Sequence, residues 1–101
     1  MEIMSSYQNQ GKVLVIDVGP KFDFSKVEDF RNAYSGLNND VSHITVDLSR
    51  TEYMDSSALG MLLNMQKTLS ERTLTYSIEN ARPQVAKILQ ISRFDKKFDI
   101  K

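Results

Sequence analysis

The sequence predicts an α/β fold, and three observations carry that prediction. Apolar runs of strand length alternate with segments of helical period in the order strand, helix, strand, helix, strand, helix. The chain has 101 residues, the length of one small domain spanning 1–101, and 41% of them are hydrophobic, close to the average for globular proteins. Turn formers fall between the periodic segments, so each strand reaches the next through a helical crossover, which is right-handed in nearly all such units.

The first strand runs from Lys12 to Val18, where Val13, Leu14, Val15 and Ile16 form a continuous apolar run that predicts burial on both faces. Ile3 to Gln8 pairs with it as an edge strand through a turn at Asn9, Gln10 and Gly11, and Gly19 and Pro20 stop it. Ser25 and Glu28 are spaced as a capping box for a helix from Lys26 to Ser35 or Leu37, whose core stripe is Val27, Phe30, Tyr34 and Leu37. Gly36, Asn38, Asn39 and Asp40 end that helix. In the strand from His43 to Leu48, Ile44, Val46 and Leu48 alternate with His43, Thr45 and Asp47.

A second helix covers Ser56 to Ser70, with Ala58, Leu62, Met65 and Leu69 on its core side and Met61 left over. A third strand, Thr73 to Ile78, precedes a third helix that opens near Pro83 and turns Val85, Ile88 and Leu89 to the sheet. The tail from Phe94 to Ile100 is apolar enough for a short strand or helix, and its pattern does not choose between them.

Composition removes several functions. Lys plus Arg and Asp plus Glu number 13 each, and the small tilt between halves lacks the basic excess of a nucleic-acid surface. With no cysteine there is no disulfide, thiolate nucleophile or thiolate-bound metal, and with His43 as the one histidine there is no histidine-rich metal site. Met1 to Gln10 is polar, without the charged start and apolar stretch of a signal peptide, and no apolar run spans a membrane. The expectation is a cytoplasmic protein with no cofactor, no nucleic acid and no membrane among its partners.

In open α/β sheets the working site lies beyond the carboxyl ends of the strands, which singles out the loops Ser49 to Ser57 and Gly19 to Phe24. Asp55, Ser56 and Ser57 stand where the second helix begins, so each is placed to accept bonds from unpaired backbone N–H groups. Gly60 in the first turns of that helix costs about 1 kcal/mol relative to alanine, so close approach by another backbone is a reason for it. A phosphate on a serine here would meet the positive end of the helix dipole while making a neutral surface strongly negative.

These residues resemble a known signature. Val46-Asp47-Leu48-Ser49 followed by Met54-Asp55-Ser56-Ser57-Ala58-Leu59-Gly60-Met61-Leu62-Leu63 is similar to the motif of the STAS domain in its stand-alone form, the anti-sigma-factor antagonist. Phe22-Asp23 and Pro83 also sit where that family has matching features. The resemblance implies the STAS fold, a small mixed β-sheet with interleaved helices, and a bacterial partner switch without enzymatic activity. Its partners are an anti-sigma factor or related serine kinase with a histidine-kinase-like ATPase fold and a PP2C-type phosphatase. It further implies that Ser56 is phosphorylated, Asp55 orients it and Ser57 caps the helix. Asp23 joins the partner-binding surface with Asp55, Ser57, Ala58, Leu59 and Gly60, and Met61 either extends that surface or packs as a partly buried helix residue.

Three positions depart from the motif: Ala58 replaces a glycine, the Gly19 to Asp23 loop is one residue longer, and Ser92 stands where a glycine often follows the last helix. The alternative is a constitutive scaffold or subunit of a stressosome-like, transporter-associated or lipid-transport complex, with Ser56 a cap. A serine hydrolase lacks its Gly-x-Ser-x-Gly elbow and an evident histidine base.

Overall fold

A computed structural model describes residues 3–101, so Met1 and Glu2 in the polar N-terminal reading lie outside the described residues. Strands β1 (Met4–Gln8) and β2 (Val13–Asp17) form an antiparallel hairpin, with Gln8 opposite Val13 and Met4 opposite Asp17. The turn between them holds Asn9, Gln10 and Gly11 at φ of 54°, 59° and 84°, the left-handed conformations that a tight hairpin demands.

After β2 the chain enters a two-residue strand, β3 (Lys21–Phe22), then a 3₁₀ turn (Phe24–Lys26) and helix α1 (Val27–Tyr34). Next come β4 (His43–Asp47), a second two-residue strand β5 (Tyr53–Met54), α2 (Ser56–Thr68), β6 (Thr75–Glu79) and α3 (Pro83–Ile91). The tail forms both elements that its pattern allowed, a 3₁₀ turn at Phe94–Lys96 and β7 at Asp99–Ile100. The main sheet has the order β1-β2-β4-β6-β7, parallel except for β1, while β3 and β5 form a separate parallel pair.

Because the strands from β2 to β7 advance in one direction, right-handed crossovers place α1, α2 and α3 on the same face. Leu14, Ile16, Ile44, Val46 and Ile78 pack there against Phe30, Leu62, Met65, Val85 and Leu89. This corrects the expectation that the first strand is buried on both faces: Leu14 and Ile16 are buried, whereas Val13, Val15 and Asp17 are half-buried because no helix covers the other face. Thr45, expected to face outward, is buried there beside the Ser77 hydroxyl.

The start of α1 also differs from the sequence reading. Ser25 does not cap the helix; its N–H and its hydroxyl both donate to Asp23 Oδ1, at 3.0 and 2.5 Å, and the resulting 3₁₀ turn delays the helix to Val27. A carboxylate accepts two bonds where a serine hydroxyl satisfies one, so Asp23 takes the capping role.

His43 lies at the start of β4, the end of the strand opposite to the loop bearing Ser56, and so has no part in serine chemistry. Its Nδ1 pairs with Thr75 Oγ1 at 2.6 Å and its Nε2 with Ser77 Oγ at 2.8 Å. Desolvation, reinforced by Lys101, lowers its pKa below the ordinary 6.5. The unfolded chain therefore binds the proton more readily, and stability falls as pH drops through 6.5 toward the folded value. In thermal melts between pH 8 and 5, His43→Gln is expected to flatten that slope.

Candidate functional site

Pairing of β3 with β5 brings the two suspected loops together. Lys21 lies opposite Tyr53 and Phe22 opposite Met54, and the N–H groups of Glu52 and Tyr53 donate to the Pro20 carbonyl at 2.8 and 3.2 Å. Buried Thr51 fastens the same junction, its hydroxyl donating to the Gly19 carbonyl at 2.7 Å. At the head of the longer loop, Arg50 Nε lies 3.1 Å from the Asp17 carboxylate and Arg82 Nε donates to the Ser49 carbonyl at 3.1 Å. Sequence reading missed this pair of strands. Its trace in the sequence was large apolar residues within the polar loops, of which Phe22 and Met54 are buried while Phe24 and Tyr53 are exposed.

Beyond the paired strands the chain makes the same turn twice. Asp55 Oδ1 accepts the Ser57 N–H at 3.0 Å and the Ser57 hydroxyl at 2.5 Å, as Asp23 accepts those of Ser25. Asp55 is thus the N-cap of α2, which corrects the assignment of that role to Ser57. Each turn leaves its middle residue outside the capping bonds: Phe24 in the first and Ser56 in the second. Ser56 is exposed, and its hydroxyl has no hydrogen-bond partner among the described residues.

Electrostatics keep both turns anionic. The Ser57 hydroxyl, with the backbone N–H groups behind it, holds Asp55 below the usual carboxylate range, and Ser25 does the same for Asp23. Tyr53 donates its phenol to Asp55 Oδ2 at 3.3 Å, and the Asp55 charge raises the phenol pKa. A lowered folded pKa contributes stability that is present above the unfolded value and lost as pH falls through the folded one. Asp55→Ala is therefore expected to melt at a lower temperature than wild type at neutral pH, with the gap closing in acid; melts at a series of pH values check this.

The remaining candidates divide by exposure. Gly60 is exposed and Leu59 half-buried, but Ala58 is fully buried and Met61 only 7% exposed. Ala58 therefore offers no side-chain surface, and Met61 joins the core because α1 packs over α2. Phe24, absent from the sequence candidates, is 74% exposed. Only its position beside Asp23 marked it in advance. Among the described residues no group of three His, Cys, Asp or Glu side chains is placed to hold a metal ion, and no helix is long and apolar enough to cross a membrane.

Solved structures of anti-sigma factor antagonists share this fold. It matches SpoIIAA of Bacillus in its phosphorylated form with a TM-score of 0.72 at 22% identity, over 98% of this chain and 90% of that one. An anti-sigma factor antagonist from Mycobacterium paratuberculosis matches with a TM-score of 0.77 at 21% identity, over 98% and 85% of the two chains. The sequence narrows this further. Residues 5–100 match the family described as "Mlab, STAS domain", and the chain is 38% identical over 100 residues to the STAS-domain containing protein PA14_20770 of Pseudomonas aeruginosa (strain UCBPP-PA14), covering 99% of each. The protein belongs to the STAS-domain family.

Proposed function

We propose that this protein is a phosphorylation-controlled partner switch of the bacterial cytoplasm. In its unphosphorylated form it binds an anti-sigma factor, or a related regulator with a histidine-kinase-like ATPase fold. Phosphorylation of Ser56 by that partner releases it, and a PP2C-type phosphatase restores the binding form. Its own work is binding, and the catalysis belongs to its partners.

The observation that carries this reading is the division of labour at the start of α2: Asp55 makes the cap, Ser57 is tied to it, and Ser56 presents a hydroxyl that the fold does not use. A phosphate there adds about −1.5 to −2 of charge close to the ionised Asp55, inside a surface that also carries Asp23. The α2 N-terminus tolerates that charge through its dipole, whereas a partner built to meet the unmodified surface is repelled.

The test is a mass measurement followed by a pull-down. After incubation with ATP and extract from the cells that make the protein, wild type should gain one phosphate at Ser56 and Ser56→Ala none. If Ser56→Asp and Ser56→Ala then retain the same partners equally, the switch fails and a permanently assembled scaffold subunit is the better reading.

A further inference from the structure

We infer that the outer edge of β1 pairs antiparallel with the same edge of a second copy of this chain, joining two five-stranded sheets into one across a two-fold axis. β1 ends the main sheet, so backbone N–H and C=O groups on its free side face water. Proteins blunt such edges with charge, proline, bulges or brevity, because an unprotected edge is a template for another strand. The opposite edge carries this protection: β7 is two residues long, and the Asp99 carboxylate on it lies 3.7 Å from Lys101 Nζ. β1 has none of it. Its five residues, Met-Ser-Ser-Tyr-Gln, are all exposed and include neither charge nor proline, and they pair with β2 in unbroken register. Met4 is 54% exposed and Tyr7 48%, large surfaces for an edge that covers nothing.

The strand suits its own copy. A two-fold axis perpendicular to the sheet keeps each face on its own side, so facing residues must share a face. The register that overlaps all five residues meets this condition and sets Ser6 opposite Ser6, Ser5 opposite Tyr7 and Met4 opposite Gln8. The Tyr7 ring then lies across from a small serine, and the two Ser6 hydroxyls can bond across the axis. No like charges meet, since the strand is uncharged on a chain of zero net charge. The same axis reverses strand direction, so the two Ser56 loops, beyond the carboxyl ends of the parallel strands, point to opposite ends of the dimer and both stay open. The pairing does not depend on the role of Ser56. A five-residue strand spans about 17 Å, and such an edge falls well short of the roughly 800 Å² per partner of a stable interface. The dimer is therefore weak and in rapid exchange with single chains, with a Kd of about 0.1–1 mM.

Sedimentation equilibrium of the full chain between about 10 μM and 1 mM should show a mass rising from one chain toward two. Ser6→Lys and Ser6→Asp each set like charges face to face across the axis and should each weaken association at least tenfold. An equimolar mixture of the two should restore it, because pairing at that residue joins Lys to Asp. Thermal melts should place both variants within a few degrees of wild type, since Ser6 is exposed. Ile91→Lys, which adds the same charge to a residue 71% exposed on α3, should associate as wild type does. A wild type that stays a single chain at about 1 mM overturns the inference, as does a Ser6→Lys variant that associates unchanged or a mixture that stays apart. Mass that grows past two chains overturns it too, since β1 would then be taking β7 of the next copy, a head-to-tail contact that does not close.

Discussion

Ser56→Asp is expected to weaken partner binding at least tenfold, about 1.4 kcal/mol, while changing the stability of the fold by less than about 1 kcal/mol. The two effects separate because the two environments differ. Within the folded chain the new carboxylate sits in the first turn of α2, where the helix dipole favours negative charge and solvent surrounds the side chain. Toward a partner the same charge joins Asp55 and Asp23 on one surface, and whatever packs there must desolvate it or leave it unpaired. Ser56→Ala keeps the neutral surface and should keep the partner. Parallel titration calorimetry and chemical denaturation decide the matter, and unfolding of Ser56→Asp under native conditions would contradict a surface switch.

Phe22→Ala should have the largest effect on stability, a loss of about 3–5 kcal/mol, a large share of the roughly 5–15 kcal/mol that holds a typical domain together. The ring is fully buried, its centroid 5.1 Å from that of Phe30, which in turn meets Tyr34 edge-on at 5.7 Å. Its loss opens a cavity under α1 and removes half of the side-chain anchorage of the β3–β5 pair. Asp23 and Asp55 follow immediately on those strands, so any folded remnant should bind partners poorly even with Ser56 intact. Denaturant unfolding at 25 °C measures the first effect. Binding of the surviving folded fraction measures the second, and a variant that loses stability but keeps full affinity would show that the β3–β5 pair does not position the site.

The main elements were legible because their signal is local. The three-to-four spacing of Phe30 and Tyr34, the turn at Asn9 to Gly11 and Pro83 at the first position of α3 each report backbone conformation over a few residues. The errors arose where one short motif admits two hydrogen-bonding solutions. Ser25 looked like the cap of α1 and Ser57 like the cap of α2, yet in both turns the aspartate two residues earlier accepts the bonds instead. The apolar run in β2 predicted burial on both faces, and a sheet with all its helices on one side half-exposes Val13 and Val15.

The sequence by itself determined the order of the main strands and helices up to α3, the family signature and the placing of Asp55, Ser56 and Ser57 where a helix begins. Tertiary structure alone decided that β3 pairs with β5, that Asp23 and Asp55 head twin turns, and that Phe24 and Ser56 are their corresponding free residues. It also decided that Ala58 is buried and that the space at Gly60 is open. The physical reason is range. Periodicity records each residue's relation to its own helix or strand, whereas a two-residue ladder between positions some thirty apart, and the groove left where α1 meets α2, exist only once the chain has closed on itself.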